Sequence, residues 1–409
     1  MAKRNWNRTE TWVALIVLGI GAAIAAMGGL WIYISATSTP LHPSGPDVPS
    51  VARADPVPQW SGAVEKGRQI VRTGLTEQNL PGVSVAVGVG GDLVWAEGFG
   101  FADIDRRASV TPATRFRIGT ASIALTSAAV GLLIERKRLS LDEEIQAYVP
   151  EFPKKERPVT LRQIMGHLAG IRSDGGDEGP LFGQHCDRAV DAFPAFAGSA
   201  LRFAPGTQYQ HSRFGWIVVS AAVEAASGDH LLEFMQKEIF DPLGMPDTLA
   251  DSVTDPIDDL ATPYFPRFAA DPRYGPDSMR AIDLSCYSGS SVFVSTPSDL
   301  VRFGIAINTA TLLQPATVQL LHSPQRLPSG DETGYGLGWD LENITLAGQP
   351  AVAVGHDGDV LGGIVASLLM IRERGIVVAV TSNTSYADTF SLAVKITEAF
   401  AADSSLPPP

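Results

Sequence analysis

The sequence predicts an α+β fold: an antiparallel sheet made by both ends of a globular region, flanked by helices, with a helical lobe inserted between and one transmembrane helix in front. Two short apolar runs, Val83–Val89 and Leu93–Phe99, are split by Gly90-Gly91 and read as a hairpin. Strand-like apolar runs return in the last third, at Ala351–Gly355, Ile364–Ile371 and Gly375–Thr381. The stretch between them carries helical periodicity, so the strands of the two ends have to pair with each other.

At the N-terminus, the 23 residues Trp12–Ile34 contain no charge. As a helix they span roughly 34 Å, enough to cross a bilayer. Trp12, Trp31 and Tyr33 mark its ends, and Lys3, Arg4 and Arg8 precede it, which keeps residues 1–11 in the cytoplasm and exports the rest. The apolar stretch is long for a cleaved secretory leader, and no small-x-small site follows Ile34. Residues 35–59 hold Pro40, Pro43, Pro46, Pro49, Pro56 and Pro58 and predict an extended spacer. The globular domain then covers 60–402, and 403–409 form a frayed tail.

Within the domain, a helix at Ala63–Leu75 leads through Pro81 into the hairpin. Further helices are expected at Ala121–Glu135, Ile217–Ala226 and His230–Ile239, with Glu373-Arg374-Gly375 as the turn between the last two strands and Ala387–Phe400 as the closing amphipathic helix. Sheet and lobe would leave a ligand cleft between them.

Composition narrows the function. The chain has 409 residues, 45% hydrophobic and 18% charged, and a net charge of −13, which argues against a nucleic-acid partner. There is no Gly-x-Gly-x-x-Gly loop or P-loop lysine, and no Cys/His spacing of a zinc site, so neither cofactor nor metal is expected. The two cysteines, Cys186 and Cys286, are open to two readings, a disulfide in an oxidising exported compartment or two buried thiols.

Six segments carry a resemblance. They are Leu80-Pro-Gly-Val-Ser-Val-Ala-Val, Thr114-Arg-Phe-Arg-Ile-Gly, the run Val159–Ile171, Ile239-Phe-Asp-Pro-Leu-Gly-Met-Pro-Asp-Thr, Ser295-Thr-Pro-Ser-Asp-Leu-Val-Arg-Phe-Gly and Gly334-Tyr-Gly-Leu-Gly-Trp. In this order they resemble the serine β-lactamase and penicillin-binding-protein superfamily, in its class C β-lactamase-like branch of esterases and D-aminopeptidases. The resemblance implies a β-lactamase/transpeptidase-like fold over 60–402, and three motifs around one cleft.

The first implied motif is Ser-x-x-Lys at a helix start, the Ser acylated and the Lys one turn on activating it. Here the segment reads Thr120-Ala-Ser-Ile123: a hydroxyl remains at Thr120, but Ile123 cannot move a proton, and Ser122 falls at a packing position beside them. The second, Tyr-x-Asn after Pro205-Gly206-Thr207, reads His211-Ser-Arg213. The third, Lys-Thr-Gly or His-x-Gly, is kept in form as His356-Asp357-Gly358. The resemblance places the oxyanion hole at the backbone N–H groups of Thr120 and Asp359. His167 falls where a structural hydrogen bond is expected.

Three readings follow. In the first, the domain is a pseudoenzyme whose proton-transfer groups are gone. In the second, the site is rebuilt, with Thr120 as nucleophile, His211 as base and Arg213 as the cation that binds a substrate carboxylate. In the third, the cleft of Ser122, Ile123, Arg213, His356, Asp357, Gly358 and Asp359 binds a small acyl or peptide ligand, such as a cell-wall fragment, or a protein partner without turnover. The oligomeric state is not legible. The location implied is a bacterial inner membrane with the domain on the periplasmic side.

Overall fold

The computed structural model describes residues 8–402, apart from 54–56, 173–178, 180, 182, 281, 347 and 361 and the side chains of residues 8–10 and 359. Lys3, Arg4, the side chain of Arg8 and the expected tail 403–409 therefore lie outside the described residues.

Helix α1 (Arg8–Thr37) contains the whole uncharged run, and its apolar side chains from Trp12 to Tyr33 stand open on its surface. The spacer departs from expectation. Residues 39–53 are not held away from the domain but docked on it, so the folded unit begins before residue 60. Leu41 N–H donates to Asn79 Oδ1, buried His42 stacks on Phe101, Val48 is buried, and strand β1 (Ser50–Ala52) pairs with β3. Prolines forbid a central strand, but an edge strand of three residues tolerates prolines beside it.

Helix α2 (Ser61–Gln78) ends on Asn79 in the left-handed conformation. It leads into β2 (Gly82–Val89) and β3 (Asp92–Asp103), the expected hairpin. Helix α3 (Ser122–Glu135) follows a tight turn at Gly119–Ala121, and α4 (Arg213–Ser227) is capped by the Ser212 hydroxyl, which accepts the Gly215 N–H. The expected helix at His230–Ile239 forms as two pieces, Leu231–Met235 and a wider turn at Gln236–Phe240.

A small hairpin of β4 (Tyr264–Pro266) and β5 (Pro276–Ser278) stands apart from the main sheet. Helix α5 (Pro297–Asn308) starts with Thr296 as cap and Pro297 in its first turn. The chain closes with β6 (Asp340–Leu346), β7 (Gln349–Val360), β8 (Ile364–Ile371), β9 (Ile376–Ser382) and helix α6 (Thr389–Ala401).

The main sheet runs β1-β3-β2-β9-β8-β7-β6, every pair antiparallel, with Ala108–Ser109 added on β3. The strands of the two chain ends meet at β2–β9, where Ala86 pairs with Ala379. Every residue of β2, β8 and β9 is buried, since helices cover both faces. Alternation divides their side chains. Val83, Val85, Val87, Val378 and Val380 join one core under α2 and α6, while Ala86, Ala379, Val377 and Met370 join the other with α3, α4 and α5.

A separate small sheet, in which Phe116–Arg117 and Leu249–Ala250 both pair with Phe293–Ser295, is closed by a buried ion pair. Arg117 donates from Nε to Asp251 Oδ2 at 2.6 Å and from Nη2 to Oδ1 at 3.1 Å, both side chains almost fully enclosed. Arg117→Met leaves Asp251 buried without its partner, which destabilises by about 3–5 kcal/mol. Urea unfolding of the full chain is expected to show that loss, and the Arg117→Met/Asp251→Leu pair to recover most of it.

Candidate functional site

The site is built where β7 passes the turn that starts α3. Gly119 takes φ +52, open to glycine at no steric cost, and this places Thr120 at the head of the helix. Gly358 faces that turn. A side chain there would sit 2.2 Å from the Ile118 carbonyl oxygen and 3.0 Å from the Thr120 nitrogen, so only glycine lets strand and turn touch.

Thr120 is 7% exposed, and its hydroxyl donates to the Asp357 carbonyl oxygen at 2.9 Å. The same oxygen lies 2.7 Å from His356 Nδ1. A carbonyl only accepts, so in the neutral ring Nδ1 carries the proton. His356 Nε2 then accepts the Tyr335 hydroxyl, 3.0 Å away. The remaining lone pair of that imidazole is therefore taken. Burial holds the Tyr335 phenol well above its ordinary pKa, with Asp340 and Tyr209 adding to the effect. Tyr209, at the rim and 38% exposed, is raised by partial burial first and then by Asp340 and Glu342, so neither phenol is a base at neutral pH.

The His211 side of the site is a cluster of rings. His211 is exposed at the rim, with its ring 4.4 Å from that of His167. The His167 ring in turn lies 4.7 Å from Tyr335 and 5.8 Å from Tyr209. His167 Nδ1 accepts the Ser212 N–H at 3.2 Å, the structural bond expected of it, while its buried Nε2 has no hydrogen-bond partner among the described residues.

Several expected cleft residues lie elsewhere. Ser122 is fully buried, and its hydroxyl accepts the Phe293 N–H, so it packs the lobe and does not line a cleft. Ile123 is fully buried in the core, as its position on the inner face of α3 dictates. Arg213 is 5% exposed, with its guanidinium carbon 4.6 Å above the Tyr287 ring, so it is enclosed in the lobe and not offered to a ligand.

Strand alternation turns the Asp357 side chain to the opposite face, across from Ser367, and Ser367 itself bonds Thr389 of α6; only the Asp357 carbonyl belongs to the site. The Asp359 backbone pairs with Val365, and its side chain is outside the described residues. Cys186 and Cys286 are joined in a disulfide, which fixes the segment before Asp187 to the turn carrying Tyr287. Among the described residues no group of His, Cys, Asp and Glu is arranged to hold a metal.

Tyr335 and Tyr209 were not among the expected site residues. Tyr335 stands inside the Gly334–Trp339 motif and Tyr209 two residues before His211, which is the only signal the sequence offers for either.

The Beta-lactamase family model matches residues 68–401. The chain belongs to the β-lactamase family. It is similar to the mitochondrial serine beta-lactamase-like protein LACTB of Mus musculus, 26% identical over 89% of this chain and 84% of that one. It is also similar to Penicillin-binding protein 4* of Bacillus subtilis, 25% identical over 73% of this chain and 66% of the relative. Among solved structures, the fold matches the octameric penicillin-binding protein homologue from Pyrococcus abyssi, with a TM-score of 0.67 and 23% identity over 81% of this chain and 76% of that one. It also matches EstCE1, a hydrolase with promiscuous acyltransferase activity, with a TM-score of 0.71 and 20% identity over 83% of this chain and 99% of that one.

Burial lowers the pKa of His167 well below its ordinary value, and the charges of His211 and His356 act in the same direction. Below about pH 6.5 the unfolded chain binds a proton at this ring that the folded one does not. The stability associated with it is complete above that pH and falls by about 1.4 kcal/mol per unit as pH drops. Urea midpoints measured from pH 7 to pH 5 are expected to fall less steeply in His167→Gln than in the native chain.

Proposed function

We propose that this chain is a membrane-anchored member of the β-lactamase family that has lost hydrolase chemistry and retains the site as a binding surface. One observation carries the reading: the Thr120 hydroxyl donates its hydrogen bond to a backbone carbonyl and not to any side-chain base among the described residues. The carbonyl cannot accept that proton outright, His356 has its free nitrogen filled by Tyr335, and the position one turn on holds a buried isoleucine. Loss of a nucleophile's activating groups removes several orders of magnitude in rate.

The ligand class this favours is a small acyl or peptide compound, such as a cell-wall fragment, meeting the exposed rim at His211 and Tyr209. The anchor would be α1 and the domain would lie outside a bacterial inner membrane, as the cations before the helix direct. The reading of Thr120 and His211 as a rebuilt pair is less favoured, since the His211 ring lies tilted against His167 and the Thr120 hydroxyl donates to β7.

The test is intact mass of the purified chain after incubation with a fluorophosphonate and with a penicillin. No adduct is expected on the native protein, and labelling is expected to appear in Thr120→Ser/Ile123→Lys/His211→Tyr once melting shows that this variant is folded. An adduct on the native chain that maps to Thr120 and disappears in Thr120→Ala overturns the proposal. Calorimetric titration with muropeptides is expected to give saturable binding without product.

A further inference from the structure

The hairpin β4–β5 is not explained by the site: Tyr264 bonds it to Asn383 and Ser385 just beyond β9, and its connecting segment packs against the anchor. Its connecting segment contains a short turn, Pro272–Tyr274. The Tyr274 carbonyl accepts the Ser38 hydroxyl at 2.8 Å, and its phenol oxygen accepts the Trp31 Nε1–H at 3.1 Å. Arg267 reaches the end of the same helix, with Nη2 donating to Thr37 Oγ1 at 3.0 Å.

These contacts set a depth. Trp31 lies inside the uncharged run that ends at Ile34, so a group bonded to its indole sits at the level where that run meets the head groups. From Ser38 down to Trp31 is about 10 Å along the helix, a distance the Tyr274 backbone and side chain together bridge.

What the segment shows at that level suits a lipid surface. Phe268 packs edge-on against Tyr274, ring centres 5.6 Å apart. Ala269 and Ala270 are exposed at the tip in consecutive left-handed conformations, φ +55 and +52, a strained backbone that turns two apolar residues outward. Arg273 beside them is exposed; it holds Asp271 through Nε and Nη2.

We propose that Arg267–Tyr274 is a second membrane-contact element, seated in the phospholipid head-group layer beside α1, with Ala269 and Ala270 facing the lipid and Arg273 at the level of the phosphates. It rests on the anchoring part of the proposed function. The docked spacer agrees with it, because a domain pinned at Leu41, His42 and Ser50–Ala52 keeps one orientation to its anchor.

The experiment uses the full chain, with Cys186 and Cys286 paired, carrying a polarity-sensitive dye at one added cysteine. Ala270→Cys reports the tip and Ala22→Cys the interior of α1. Each is reconstituted in phosphatidylcholine/phosphatidylglycerol vesicles with and without nitroxide-labelled lipid. Quenching at both positions is expected, with a blue-shifted emission at 270 that Tyr274→Ala reduces while leaving position 22 unchanged. Quenching at 22 without any at 270 overturns the hairpin contact and leaves the anchor standing. No quenching at either position overturns the anchor, and the contact with it.

Discussion

One carbonyl oxygen holds the two halves of this molecule in register. The Asp357 oxygen takes the hydroxyl of Thr120 from the helical lobe and faces Nδ1 of His356 in its own strand, using both lone pairs. The bond exists only because Gly358, the next residue, has no side chain to force the turn at Gly119–Ala121 away from β7. The residues named by the three motifs meet here through backbone geometry, and that geometry survives whatever side chains occupy it. This explains how a chain can keep the architecture of a hydrolase family while the acid–base groups change.

The parts of the fold legible in the sequence are those whose side chains report burial. β2, β8 and β9 are enclosed on both faces and show as unbroken apolar runs, and the helices over them carry a clear period. β6 was missed because it is an edge strand: Glu342 and Asn343 are exposed, so Asp340–Leu346 has no apolar signature. β1 was hidden by its prolines, whose effect on a central strand does not extend to a three-residue edge.

The site was less legible than the fold, for a geometric reason. Position in a motif fixes the backbone location of Ser122, Ile123, Arg213 and Asp357, but helix phase and strand alternation decide where each side chain points. Ser122 and Ile123 turn into the lobe, Arg213 over Tyr287, and Asp357 to the far face. Tyr335 became visible only through its bond to His356, since a tyrosine within a glycine-rich motif reads equally well as packing. The pairing of Cys186 with Cys286 likewise required the fold, as a spacing of 100 residues carries no directional information.

The changes at the motif positions are energetically coupled. A lysine one turn after the nucleophile is a cation in a nearly closed space, tolerated only if its neighbours supply hydrogen bonds and charge. With isoleucine at position 123, fully buried, polar partners aimed at the absent ammonium would be left unsatisfied, each at a cost of about 1–3 kcal/mol. A half-satisfied polar network is worse than an apolar one, so removal of the cation favours removal of the groups that served it. The hydroxyls of the site fit that expectation, while the buried His167 Nε2 departs from it. The buried hydroxyls at Thr120 and Tyr335 are bonded to a carbonyl and an imidazole nitrogen, while His211, in place of the phenol, has moved to the exposed rim against His167. On the proposed reading, the substitutions at these positions are linked through the stability of one polar centre and are not independent of each other.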